Sequence, residues 1–151
     1  MRFLFDEMLK KLSGWCRILG IHSEYFTDKS DDELLEYAKE NNLVFVTRDK
    51  ALSKRCTKHG VEVVFIKSND IKDQIEDVLK TGAEITFPEK TRCSSCNEIL
   101  EPVSKDGIKD RLPPKVDSEK YWICRSCGKV FWEGGHWKNI RRMLAELSKP
   151  I

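Results

Sequence analysis

An unbroken apolar run, Leu43 to Val46, is followed at once by Thr47, Arg48, Asp49 and Lys50. A short β-prone run with no polar interruption predicts a strand buried on both faces, as in a parallel sheet covered by helices. Met1 to Asp6 repeats the plan and delivers Asp6 at its far end. Between these strands, Leu9, Leu12, Cys16 and Leu19 recur at three- and four-residue spacing before Gly20, which predicts an amphipathic helix and its stop. His22 to Phe26 reads as a short strand, and Ser30 with Glu33 forms a capping signal for a helix beginning at Asp31. The central strand leads into a helix, ALSKRCTKH, stopped by Gly60, and then into the apolar strand VEVVFI. Ser68 or Asn69 then caps a helix whose Ile71, Ile75, Val78 and Leu79 form one stripe ended by Gly82. Strand and helix thus alternate four times. Parallel neighbours need a helix to return the chain, so this order predicts a parallel sheet with right-handed crossovers.

Pro88 and the charged residues after it mark a boundary, giving an α/β domain over 1–88 and a second module over 89–151. Aliphatic residues thin out beyond it, so the second module needs a staple. Two CxxC pairs supply one: Cys93 and Cys96, then Cys124 and Cys127, separated by 27 residues. The second is followed by Gly128 and KVFW, which fits a zinc ribbon closed by four thiolates. Such a closed site holds the fold and does no chemistry. A redox pair is the other use of CxxC, but neither copy follows a thioredoxin-like strand. The stretch between the knuckles, with Gly107, Pro113, Pro114 and several lysines, is expected to be an exposed loop. A basic helix through Arg141 and Arg142 closes the chain. Trp132, His136 and Trp137 stand near Lys138 and Arg141, where they would either stack on bases or pack the ribbon.

Charge sharpens the division. Residues 1–88 carry 14 Lys and Arg against 16 Asp and Glu, whereas 89–151 carry 13 against 9, a mild hint of a polyanionic partner. No apolar run approaches the roughly 18 residues of a membrane span, and no signal-peptide pattern opens the chain, so a cytoplasmic protein is expected. In that compartment the cysteine pairs favour a metal over disulfides. Cys16 and Cys56 lie alone in helical patterns and read as buried small hydrophobes.

The candidate chemistry lies at the carboxyl ends of the strands, where open α/β sheets collect their ligands. Two strand ends and a helix start bring Asp6, Asp49 and Asp31 to one rim. Asp31 shares the face of Leu34, Leu35 and Ala38 and is expected to turn inward, while Asp32 points sideways. Acidic first-turn residues also stabilise helix starts without any further role. Two carboxylates about 4 Å apart repel by on the order of 4 kcal/mol at an effective dielectric near 20, so such a cluster invites a cation. Oxygen-only ligands select Mg²⁺ or Mn²⁺, ions suited to phosphodiester cleavage. Thr47 would orient Asp49, and Arg48 with Lys50 would grip a phosphate, unless Arg48 pairs with Glu7 or Asp31.

Taken together, FDEMLKKLSGWCRILG, SDDELLEYAKE, VFVTRDKAL, the ribbon and the closing FWEGGHW resemble the PIN-like RNase domain of the Mut-seven carboxy-terminal type, over nearly the whole chain. The resemblance implies a PIN-like three-layer α/β/α domain, then a zinc ribbon and terminal helix, a divalent-metal site and action on RNA. By position, Asp6, Asp31 and Asp49 match its acidic site residues, completed by Thr47 and Arg48. A fourth acid would have to come from Asp70 or Asp73. The expected function is therefore a metal-dependent ribonuclease with Mg²⁺ or Mn²⁺ at the aspartates and structural Zn²⁺ at the cysteines. The alternative is a non-catalytic RNA- or ribosome-binding adaptor on the same fold. A phosphatase-like receiver is disfavoured, because Asp6-Glu7-Met8 does not supply the phosphate loop such folds need.

Overall fold

The computed structural model describes residues 1–112, 116, 118 and 120–147, with the side chains of Gly135 and His136 left aside. The chain divides into two compact units, Met1–Asn97 and Glu98–Ile151. Among the described residues no helix is long and apolar enough to cross a membrane.

In the first unit, β1 (Arg2–Phe5), β2 (His22–Tyr25), β3 (Val44–Thr47) and β4 (Val63–Phe65) form one sheet in the order β2-β1-β3-β4. Every pairing is parallel, and Phe5 stands beside Tyr25 on one side and Val46 on the other. The intervening helices are α1 (Lys10–Ile18), α2 (Asp31–Glu40) and α3 (Lys50–Lys58), and α4 (Ile71–Leu79) follows β4. A 3₁₀ turn, Glu7–Leu9, leads into α1.

This strand order sets the layers. From β1 the chain moves one way to reach β2, then crosses back over β1 to β3 and on to β4. Right-handed crossovers therefore put α1 on one face and α2 with α3 on the other. Leu4 and Phe45 pack with Leu34, Leu35 and Ala38 of α2 and Leu52 and Cys56 of α3. Phe3, Phe5, Val44 and Val46 alternate to the opposite face, where α1 and α4 lie together. The parallel sheet is thus as the pattern predicts, and the three-layer α/β/α arrangement is as the resemblance implies. Both central strands are buried on two sides, which explains their unbroken apolar runs.

The capping signal of α2 holds in detail, whereas α4 is capped by Asp70 and not by Ser68 or Asn69, because it is the Asp70 carboxylate that reaches the Lys72 amide. Ser30 Oγ accepts from the Glu33 amide at 3.2 Å while Glu33 Oε1 accepts from the Ser30 amide at 3.1 Å, a complete capping box. At Gly20 the backbone takes φ +93° and turns tightly under the following chain.

In the second unit, β5 (Glu101–Val103), β6 (Tyr121–Ile123) and β7 (Val130–Trp132) form an antiparallel sheet in that order, and α5 (Gly135–Leu147) ends the described chain. Pleating sends Tyr121 and Ile123 to one face, onto Ile108, while Trp122 on the other stacks against Trp137 with ring centroids 4.9 Å apart. Between the knuckles, residues 104–107 and 109–111 are exposed as expected, and the departure is at one residue. Ile108, held between short 3₁₀ turns, is 2% exposed and plugs the small core. Pro113 and Pro114 lie outside the described residues.

Gly20 gives the sharpest test of this packing. A Cβ there would fall 1.9 Å from Thr86 Oγ1 and 2.6 Å from the Lys90 carbonyl oxygen, whereas at Gly60, φ +75°, it meets open space. Gly60→Ala is expected to cost about 1–2 kcal/mol of left-handed strain alone. Gly20→Ala adds a backbone clash and is expected to cost about 2–5 kcal/mol. Parallel denaturant melts check the order; equal losses would show that the turn at Gly20 is not tightly packed.

Candidate functional site

β1 and β3 are neighbours whose following helices leave to opposite faces, so the crevice beyond their carboxyl ends is the switch point of this sheet. Asp6 stands at the end of β1, its amide still donating to the Val46 carbonyl at 2.9 Å. Its side chain is 7% exposed. Thr47, the last residue of β3 and fully buried, donates its hydroxyl to Asp6 Oδ2 at 2.7 Å. Thr47 Oγ1 in turn accepts from the Asp49 amide at 3.0 Å. One hydroxyl therefore ties the two acidic positions together, as expected of Thr47.

Each rim acid is also placed at the start of a helical turn. Asp6 Oδ1 accepts from the Met8 amide at 3.3 Å, Asp49 Oδ1 from Leu52 at 3.1 Å, and Asp70 Oδ1 from Lys72 at 2.9 Å. These caps rigidify the carboxylates. They also set part of the negative charge against the positive ends of helical dipoles, so the carboxylates are less dependent on a cation than bare ones would be.

Asp31 departs from expectation. It is exposed, as the first residue of α2, because the inward stripe begins only at Leu34. Its charge still reaches Arg55 of α3, whose pKa is raised first by the hydrogen bond and charge of Asp32 and then by Asp31. Asp32 bonds Arg55 directly. Among the described residues Arg48 bonds neither Glu7 nor Asp31: its Nη2 donates to Asn69 Oδ1 at 2.6 Å, a neutral partner that leaves the guanidinium charge uncancelled. Of the two further acids considered, Asp70 caps α4 and Asp73 accepts from Ser68 Oγ at 3.0 Å. Both lie at the β4 margin and are engaged in holding the start of α4.

The cysteines form the second centre. The sulfurs of Cys93, Cys96, Cys124 and Cys127 lie within 4.8 Å of one another. Among the described residues this is the only set of three or more His, Cys, Asp or Glu side chains close enough to share an ion. Four thiols so arranged fit tetrahedral zinc, and the set can hold it. The two knuckles have matching turns. Asn97 N donates to Cys93 O at 2.9 Å with φ +66° at Asn97, and Gly128 N donates to Cys124 O at 2.7 Å with φ +79° at Gly128. Asparagine is one of the few residues that accepts the left-handed region, and its position four after the first cysteine, as Gly128 is four after the third, was the available signal.

The sequence patterns also left Arg17 unnoticed. Its Nη1 donates to the Ser94 carbonyl at 2.6 Å and its Nε to the Ser23 carbonyl at 2.8 Å, joining the first knuckle to α1 and β2. Asn97 Oδ1 completes the junction by accepting from the Ser23 amide at 2.9 Å. In the second unit, Trp137 is buried against Trp122 with the Arg141 guanidinium over its ring, so packing and not base stacking occupies it. The side chain of His136 lies outside the described residues.

Cys16 and Cys56 are both buried, as expected, and burial pushes both thiols up, Cys56 to about 11. The zinc-loaded protein should therefore show no rapidly reacting thiol at neutral pH, and removing the ion with a strong chelator should release four. Titration with an aromatic disulfide alongside zinc analysis checks this; fast thiols before chelation would show that the cysteine set holds no metal.

No curated protein and no solved structure matches the chain. The model of the Mut7-C RNAse domain family, however, matches residues 1–144. That span takes in the parallel sheet, its acidic rim and all four clustered cysteines, and the chain belongs to the Mut7-C RNAse domain family.

Proposed function

We propose that this protein is a divalent-metal-dependent ribonuclease whose reaction centre is the rim of β1 and β3. The family supplies ribonuclease activity and hence RNA as partner. The observation that carries the finer reading is the Thr47 hydroxyl, which donates to Asp6 and accepts from the Asp49 amide. It holds the Asp6 carboxylate and the Asp49 backbone, while the Leu52 amide holds the Asp49 carboxylate, with lone pairs left on both for a ligand. A bound Mg²⁺ or Mn²⁺ would stabilise the charge developing on the phosphate and lower the pKa of an attacking water. Mg²⁺ commonly takes only one or two protein carboxylates and keeps several waters, which suits Asp6 and Asp49 with the exposed Asp31 acting through solvent. Arg48, its charge not cancelled by Asn69, holds the phosphate. Thr47 keeps Asp6 in one orientation, the kind of support whose loss costs metal sites about 10–100-fold.

The exposure of Asp31, and the absence of a close carboxylate trio among the described residues, favour a second reading: an adaptor that binds RNA without cutting it.

Cleavage of end-labelled mixed RNA in Mn²⁺ separates the two. Asp6→Asn and Asp49→Asn are expected to reduce cleavage to background, and Thr47→Val by about 10–100-fold, with Mn²⁺ titration curves shifted to higher concentration. RNA bound by the wild type but left intact would establish the adaptor; cleavage unchanged in both asparagine variants would locate the activity elsewhere.

A further inference from the structure

The stripe of α1 adjacent to its core face is Lys10, Ser13, Gly14 and Arg17, at helical spacings of three, four and seven. It lines an open groove of about 640 Å³ within the first unit, with Lys11 at its flank and Ser94 and Ser95 of the first knuckle opposite. The groove runs on toward the rim, because Tyr25 lines it too. Tyr25 pairs beside Phe5, donates its hydroxyl to the Glu7 carbonyl at 2.7 Å, and lies within reach of the Asp6 charge.

Three features give this groove a chemical preference. Its charged lining is entirely cationic. Lys10 and Lys11 are exposed and form no ion pair among the described residues, and Arg17 is held rigidly by two carbonyls. Ser13 is 2% exposed, yet its hydroxyl has no hydrogen-bond partner among the described residues. A buried hydroxyl left unpaired is rare and unfavourable, and it suits an acceptor brought from outside. Gly14 keeps the floor open, since a Cβ there would meet nothing within 4 Å.

We infer that this groove is a phosphodiester-binding subsite, taking the backbone of the single RNA strand whose scissile bond lies at the Asp6–Asp49 rim. The inference rests on the ribonuclease reading and names where the substrate strand runs. From Lys10 to Arg17 the helix rises about 10 Å, so the groove follows the backbone and does not read bases. Phosphate oxygens would receive hydrogen bonds from Lys10 and Lys11, and from the Ser13 hydroxyl once the bound strand draws it out of its buried position.

The test is equilibrium binding of a labelled single-stranded oligoribonucleotide to the full zinc-loaded chain, without Mg²⁺ or Mn²⁺, across a salt series. Lys10→Ala with Lys11→Ala is expected to weaken binding about tenfold or more and to reduce the salt slope by about 1.4, roughly 0.7 for each lysine on a single strand. Gly14→Glu, which enters open space, is expected to weaken it similarly with an unchanged melting temperature. Ser13→Ala should weaken it less and leave the salt slope unchanged. Lys54→Ala with Lys58→Ala removes equal charge from α3 and serves as the control. Equal weakening by the two lysine pairs, or full affinity in Gly14→Glu, overturns the subsite. Those results leave the ribonuclease reading standing if Asp6→Asn still abolishes cleavage. No RNA binding by the wild type without metal overturns the subsite, while cleavage in Mn²⁺ decides the ribonuclease reading separately; saturable binding of inorganic phosphate alone would overturn the subsite by making the groove a free-anion site.

Discussion

A single buried hydroxyl holds the rim of this protein together. Thr47 has no exposed surface, so its oxygen must satisfy its hydrogen-bonding capacity within the protein, and it does so by donating to Asp6 and accepting from the Asp49 amide. That one group ties the Asp6 carboxylate at the end of β1 to the backbone of Asp49 just beyond β3. Without it a nearly buried charge would lose its strongest neutral donor. The position is available only because the helices following these two strands depart to opposite faces, leaving the crevice open above them.

A second constraint lies at the far end of α1. The last carbonyls of a helix have no partner within it, and here the chain beyond α4 supplies them. The Arg92 amide bonds the Arg17 carbonyl at 2.9 Å, Thr91 Oγ1 the Ile18 carbonyl at 2.6 Å, and the Thr86 amide the Leu19 carbonyl at 2.9 Å. The first cysteine knuckle follows directly, fastened by Arg17 and Asn97 to Ser23. Its thiols are therefore presented by the nuclease layer's own hydrogen bonds, and the crowding that forbids a Cβ at Gly20 arises from the same segment.

Much of this was legible in the sequence because local rules carried it. Continuous apolar runs marked β1 and β3, Ser30 with Glu33 marked the start of α2, Gly20 and Gly60 marked helix ends, and the paired cysteines marked the ribbon. What was not legible depends on geometry that periodicity does not encode. Asp31 shares the inward stripe by spacing, yet at the first helical position that stripe has not begun to bury. Ile108 looked like a loop residue because nothing in its neighbours announces a core of so few side chains. The helix caps at Asp6, Asp49 and Asp70 temper the repulsion argument for a cation, since each carboxylate already faces amide donors. Arg17 reads as an ordinary helix residue until the fold brings Ser23 and Ser94 to it.

The fastening at Ser23 also bears on how copies of the molecule could associate. Strand addition needs a row of free amides and carbonyls, and at β2 both groups of Ser23 are taken by Asn97 and Arg17. The opposite margin, β4, is three residues long and has β3 as its paired neighbour. Any β-augmentation of this sheet, by a second copy or by an extended peptide, is thereby directed to β4 and limited to a very short ladder, which is itself a guard against runaway polymerisation.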